Sequence, residues 1–344
     1  MSTPLLEVRD LQKHYPVRGG IFSRTVGTVR AVAGVSLQVH AGQTLGLVGE
    51  SGCGKSTLGR TLMRLEEPTS GQVLFEGRDL AQASGAELFK LRREMQMVFQ
   101  DPYSSLNPRL TVGEIVREPM LVHGMGSKAQ QTRRVRELLA TVGLGADALT
   151  RYPSEFSGGQ RQRIGVARAL SLNPRLVIAD EPVSALDVSV QSQVLNLMVQ
   201  LQRERGLAYV FISHDLSVVE HVSDTVAIMY LGRIVEMGPV RQIFDRPAHP
   251  YTRALMQAIP SGNPRLRRAS VPLTGEAPSP MTVRPGCAFA SRCAYALDAC
   301  RQAVPALEPV AGEGAIGHLI ANTAPHVVAC IRRDEIAALA SATG

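Results

Sequence analysis

The stretch GESGCGKST, Gly49–Thr57, restricts what this chain can fold into more than any other feature. It fits the pattern G-x-x-x-x-G-K-[ST], and each part has a physical task. Gly49, Gly52 and Gly54 let the backbone turn tightly, so that successive N–H groups face inward and cradle phosphate oxygens. Glu50, Ser51 and Cys53 belong to the same cradle, and for Cys53 the backbone matters more than the sulfur. Lys55 neutralises the outer phosphates, and the Ser56 hydroxyl completes a Mg²⁺ shell. Thr57 follows at the start of a helix whose positive end adds to the site. Such a loop needs a buried strand before it and an amphipathic helix after it, and its ligand is a nucleotide.

The surrounding chain supplies both. TLGLVG (Thr44–Gly49), RLVIAD (Arg175–Asp180) and AYVFIS (Ala208–Ser213) are continuous apolar runs, the habit of parallel strands buried on both faces. Leu58, Leu62 and Leu65 make a helical stripe after the first run. Val190, Val194, Leu197, Met198 and Leu201 make a longer one after the second, closed by Gly206. Strand, helix and strand at this spacing predict an α/β core. Between about residues 101 and 172 helical patterns dominate, among them one that starts at a Ser127 cap and ends near Gly143. This reads as a helical subdomain inserted into the core. After Pro260 the chain is rich in Pro, Ser and Gly without a period, which reads as a linker or irregular lobe.

Two further pieces carry chemistry. RLVIADEP delivers Asp180 and Glu181 at a strand end, where Asp can hold Mg²⁺ and Glu can polarise an attacking water. FSGGQRQRIGVARAL places Ser157, Gly158, Gly159 and Gln160 at the start of a helix, a second anion site. One ATP needs one cradle. The second cradle therefore serves another nucleotide, which two such domains arranged head to tail would satisfy.

These residues resemble the ATP-binding cassette (ABC) family, with the motifs in family order over about residues 5–240. GESGCGKST is similar to its Walker A, VIADE to its Walker B and SGGQ to its signature. Gln100 in VFQDP resembles the Q-loop, SALD (Ser184–Asp187) the D-loop and His214 in FISHD the switch histidine. Tyr15 falls where the family stacks an aromatic on adenine. The resemblance implies a RecA-like core with a helical subdomain over residues 1–258, and a small irregular lobe over residues 259–344 that contains cysteines. It further implies that Ser56, Gln100 and Asp180 organise Mg²⁺, that Glu181 is the general base, and that His214 orients the γ-phosphate. Ser157–Gln160 would close the partner's ATP, and Asp187 belongs to the same nucleotide contacts. Phe156 departs from the family's usual leucine, a conservative apolar change.

QDPYSSLNPRLTVGEIV, DEPVSALDVSVQSQVLNLM, HPYTRAL and PGCAFASRC resemble the dipeptide/oligopeptide (and nickel) importer branch, as does the insertion VRGGIFSRTVGTVRAV between the first two strands. That branch implies two membrane permease subunits, a sister ATPase and an extracytoplasmic binding protein. The chain would lie peripherally on the cytoplasmic face of the bacterial cytoplasmic membrane. In keeping with this, the sequence has no run of 18 apolar residues and no apolar leader near MSTPLLEVRD. The alternatives are import of nickel or another small solute, and a non-transport cassette acting on nucleic acid. The formal charge is +7, and 33 of the 37 basic residues are arginine, but they are scattered and aromatics are only 4%. Charge therefore does not select nucleic acid, and none is expected as a partner. Cys287, Cys293, Cys300 and Cys330 follow a C-x5-C-x6-C-x29-C spacing. In a reducing compartment disulfides are disfavoured, and four thiolates suit zinc, an iron–sulfur cluster, or no metal at all. The resemblance implies a [4Fe–4S] cluster.

Overall fold

The computed structural model describes residues 3–19, 24–258, 278–279, 281–282, 285–310 and 325–341. In chain order the elements are β1 (Leu6–Gly19), β2 (Arg24–Val39), β3 (Thr44–Val48), α1 (Lys55–Leu62), β4 (Ser70–Phe75), β5 (Arg78–Asp79), α2 (Gly85–Glu94) and β6 (Met95–Val98). There follow α3 (Pro102–Ser105), α4 (Val112–Val122), α5 (Lys128–Thr141), α6 (Gly158–Leu170), β7 (Leu176–Asp180), α7 (Val188–Arg205) and β8 (Ala208–Ser213). The remainder are α8 (Leu216–Val222), β9 (Thr225–Tyr230), β10 (Arg233–Pro239), α9 (Val240–Asp245), α10 (Pro250–Gln257), β11 (Glu308–Pro309), β12 (Val327–Val328) and α11 (Arg333–Ser341). They form two compact units: Met1–Gln38, Leu45–Ala81 and His214–Gly344 in the first, Val39–Thr44 and Gln82–Ser213 in the second.

In the first unit, β2, β1, β4 and β5 make one sheet, with β1 and β4 antiparallel. A bulge between Arg9 and Gln12 shifts their register. A second set runs β11-β12-β10-β9-β3. There β3 lies parallel to β9, Leu45 opposite Thr225, with every residue of both strands buried. A two-residue turn, Leu231–Gly232, with φ of 43° and 79°, folds β9 back onto β10. Positive φ at both turn positions matches the twist of a tight hairpin. α1 buries Leu58 and Leu62, but Leu65 lies beyond its end and is 47% exposed. The predicted stripe stops there because Arg64 takes a left-handed φ of 48° and turns the chain away.

The second unit holds three parallel strands, β6, β7 and β8, with Met95 opposite Leu176 and Leu176 opposite Ala208. Both β7 and β8 are buried throughout, as their apolar runs predict. The helical stretch from residue 101 to 172 lies within this unit. Capping boxes start three of its helices: Thr111–Glu114 on α4, Ser127–Gln130 on α5 and Ser157–Gln160 on α6. Each such cap contributes about 1 kcal/mol by satisfying amides a helix start leaves open. On α7, Val194, Leu195, Met198 and Leu201 are buried, while Val190 and Leu197 are half-buried. Gly206 ends it at a φ of 64°.

Within the first unit the described C-terminal residues are held by a pairing and a buried carboxylate. Val328 lies opposite Glu236 across β12 and β10. The Glu236 carboxylate, fully buried, accepts the Ala248 and His249 amides at 2.7 and 3.0 Å and lies 2.7 Å from His326 Nε2. Burial also pulls His249 down to about 4, so the ring is neutral and its Nδ1 accepts the Tyr251 amide at 3.1 Å. Phe289 packs against Tyr230 and Tyr251, ring centres 5.3 and 5.4 Å apart, so the lobe borrows its core from β9 and α10. Most of the Pro-rich stretch from Pro260 to Gly286 lies outside the described residues, as do residues 20–23 of the predicted insertion. The rest of that insertion is strand, continuing β1 and opening β2. Among the described residues, no helix is long and apolar enough to cross a membrane.

Candidate functional site

The first unit carries the phosphate loop, between the buried β3 and α1. Lys55 is 4% exposed and its Nζ donates to the carbonyls of Gly49 and Glu50, at 2.8 and 3.1 Å. The ammonium is thus folded across the loop it belongs to. Gly54 caps α1 with a φ of 107°, and no side chain caps this helix. Its N-cap residue therefore offers no side-chain acceptor of the kind that Thr111, Ser127 and Ser157 supply to α4, α5 and α6. Cys53 is buried, its thiol pushed up by that burial, and its carbonyl accepts the Gly232 amide at 2.9 Å. Tyr15, on β1, is half-buried; its hydroxyl donates to Glu66, and Lys13 Nζ lies 4.8 Å from the ring centre. His214 is exposed, just before the Asp215 that caps α8.

The second unit brings the catalytic candidates together. Asp180, 1% exposed, ends β7. Glu181 follows with a φ of 45°, its amide donating to Ile212 O at 3.0 Å. A left-handed non-glycine residue is uncommon and costs backbone energy, which the neighbouring strand contact holds in place. Gln100 Nε2 donates to Glu181 Oε2 at 3.0 Å, so the two predicted residues meet directly across 81 positions of sequence. Ser184 Oγ donates back to the Glu181 carbonyl at 3.1 Å, which fixes the start of the segment leading to Asp187 and α7.

The signature segment is arranged less simply than the sequence suggests. Ser157 N donates to Gln160 Oε1 at 3.0 Å and Gln160 N to Ser157 Oγ at 3.4 Å. These two amides serve the helix's own cap, and the Gly158 and Gly159 amides lie between them. Ser157 and Gln160 are exposed, as are Asp187 and Val188. Gly159 is buried, and a Cβ there would stand 2.1 Å from Val190 Cγ1. Gly159→Ala should therefore lower stability by about 1–3 kcal/mol through overpacking of α6 on α7, read as a lower denaturant midpoint at unchanged slope.

All five cysteines are unbridged. Cys287, Cys293, Cys300 and Cys330 line one cavity, an atom-free space of about 370 Å³ with the solvent at its mouth included. Burial raises the thiols of Cys287, Cys293 and Cys330, the last to about 11, and the four are near enough to act on one another electrostatically. Among the described residues, no three His, Cys, Asp or Glu side chains converge as ligands for a single metal ion.

Two residues without a predicted role join this pocket to the phosphate loop. Arg292, directly before Cys293, forms a two-pronged pair with the Glu50 carboxylate at 2.9 and 3.1 Å. Tyr251 Oη accepts the Glu50 amide at 3.0 Å. No pattern marks one arginine among 33, so sequence reasoning passes over it.

Residues 32–184 match the family described as "ABC transporter", and residues 235–300 match "Oligopeptide/dipeptide transporter, C-terminal region". The chain is 55% identical over 340 residues to the probable peptide ABC transporter ATP-binding protein y4tS of Sinorhizobium fredii, covering 99% of this chain and 96% of that one. It is 54% identical to the dipeptide transport ATP-binding protein DppF of Escherichia coli, over 91% and 93% of the two chains. With the oligopeptide transport ATP-binding protein AppF of Bacillus subtilis the figure is 52%, over 92% and 96%. Among solved structures, the ATP-binding cassette MJ0796, dimeric in a post-hydrolysis state with ADP and Pi, matches at a TM-score of 0.61 and 29% identity. That match covers 69% of this chain and 99% of the other.

Proposed function

The chain belongs to the ABC transporter ATP-binding proteins of the oligopeptide/dipeptide type, and from that membership we propose that it is the ATPase subunit of an importer of dipeptides or oligopeptides. The observation that carries this reading is the pairing, on one chain, of the cassette at residues 32–184 with the transporter-specific region at residues 235–300. A cassette acting on nucleic acid is not favoured, because relatives matching nine-tenths of the chain or more are transport subunits.

The residues support distinct roles. Lys55 and the loop amides of Gly49–Thr57 hold the phosphates, and Lys55 exchanges its two carbonyl partners for phosphate oxygens. Ser56, Gln100 and Asp180 hold Mg²⁺, which when bound with ATP neutralises charge on the transferred group. Glu181, held by Gln100, takes the proton of the attacking water, and His214 orients the γ-phosphate. Tyr15 stacks on adenine. Exposure of Ser157, Gln160, Asp187 and Val188 supports a second cassette meeting this surface. That partner is a sister ATPase, working with two permease subunits and an extracytoplasmic binding protein at the cytoplasmic face of the membrane. Deleting the gene should abolish dipeptide uptake. Intact peptide uptake with lost nickel uptake would reassign the solute.

We propose further that Cys287, Cys293, Cys300 and Cys330 would hold a [4Fe–4S] cluster. The supporting observations are that all four cysteines line one cavity and that its wall is otherwise built of residues such as Phe289, Ala290 and Ile331. When bound, such a group would cross-link a lobe that has little core of its own. Protein purified without oxygen should absorb near 400 nm, and Cys330→Ser should lose that band and the iron. Iron-free, colourless protein, or zinc in its place, would reject the cluster.

A further inference from the structure

We propose that Arg292 is a positioning residue of the phosphate loop: from the cysteine lobe it neutralises and holds Glu50, and so sets how tightly the loop binds ATP. This rests on the reading of Gly49–Thr57 as the phosphate site.

The geometry is specific. Glu50 lies in the second position of the loop, next to Gly49, and its carbonyl accepts Lys55 Nζ at 3.1 Å. Its carboxylate, on a side chain 26% exposed, is paired with an arginine: Arg292 Nη1 and Nη2 reach both oxygens at 2.9 and 3.1 Å, in the planar fork that suits a carboxylate. Its amide is held by Tyr251 Oη. Glu50 is thus gripped at backbone and side chain at once, by residues 201 and 242 positions away.

Arg292 is itself locked. Its side chain is 8% exposed, its amide donates to Phe289 O at 2.9 Å, and Nη1 reaches Tyr230 Oη at 3.4 Å. It occupies the turn between Cys287 and Cys293, so the lobe fixes the guanidinium and the guanidinium fixes the loop. The electrostatics explain why the grip matters. A carboxylate in a triphosphate cradle repels its ligand unless a cation neutralises it. Without Arg292, Glu50 is an unpaired negative charge at the phosphate site, and one arm of the loop loses its restraint.

The test is a double-variant cycle on the full-length chain, with ATPγS and Mg²⁺ as the titrated probe. Arg292→Met should weaken binding at least about tenfold, and in the turnover assay the loss should fall on KM for ATP, with kcat within about threefold. Adding Glu50→Gln to Arg292→Met should recover most of the affinity, because the stranded charge is then gone. A merely structural arginine predicts no such rescue. Wild-type affinity in Arg292→Met, or a double variant as weak as Arg292→Met alone, overturns the proposal. Should Arg292→Met fail to fold, Arg292→Gln, which also removes the cation, carries the same comparison, with the same loss and the same rescue. Lys55→Ala serves as the reference: if it binds as the native chain does, the loop reading fails and this clamp with it. If Lys55→Ala loses binding while Arg292→Met does not, only the clamp fails.

Discussion

Glu181→Gln should leave ATP bound and lower its hydrolysis by about 10²–10⁴-fold, the range expected when a positioned general base is removed. The structure explains why this change isolates the chemistry. Glu181 follows a fully buried strand that ends in Asp180, and its backbone amide is held by Ile212. Glutamine has the same size and still offers an oxygen to Gln100 Nε2, the donor now 3.0 Å from the carboxylate. What it cannot do is take a proton from water. Phosphate release by the purified full-length chain measures turnover, and ATPγS titration measures binding. Native turnover in the variant would remove Glu181 from the role, and Asp180 would become the residue to test.

A single methyl group at Gly54 should be almost as damaging. The φ of 107° at this position is one that residues with a Cβ rarely adopt, which costs about 1–2 kcal/mol for alanine. The added Cβ would also stand 2.0 Å from Ala31 O, a backbone atom that cannot swing aside. Gly54→Ala should therefore lose about 3 kcal/mol of stability and about 100-fold in nucleotide affinity, since the loop must open to admit the methyl. Gly52→Ala is the instructive comparison. Gly52 has a φ of 78°, but a Cβ added there would meet nothing within 4 Å, so its cost is the backbone strain alone. Equal melting temperatures and equal affinities for the two variants would show that the contact with Ala31 is not what requires glycine at 54.

Much of the fold was legible because buried parallel strands write continuous apolar runs. β3, β7 and β8 stand within one residue of the runs that mark them. β9 obeys the same rule, though it is not among the three runs singled out from the sequence. The sheet of β1, β2, β4 and β5 was not legible by that rule. β1 reads LEVRDLQKHYPVRG and is buried at only some positions, so charged and apolar residues alternate irregularly around a bulge. Leu65 shows the converse error, since periodicity continued the stripe past a left-handed Arg64 that ends it.

The sequence by itself determined which residues are candidates for the chemistry. Phosphate cradles, paired acids and a histidine after a strand demand certain residue types at short spacings, and short spacings survive in a one-dimensional pattern. It also placed four thiols in the tail, though not in one cavity. Only the tertiary structure decided what Glu50, Arg292 and Tyr251 do for one another. Their partnership spans more than 200 residues, and a contact made by folding two distant segments together leaves no periodic or compositional trace. The self-capping of Ser157 and Gln160 was equally hidden, because whether a helix-start amide faces a ligand or its own cap depends on rotamers rather than on letters.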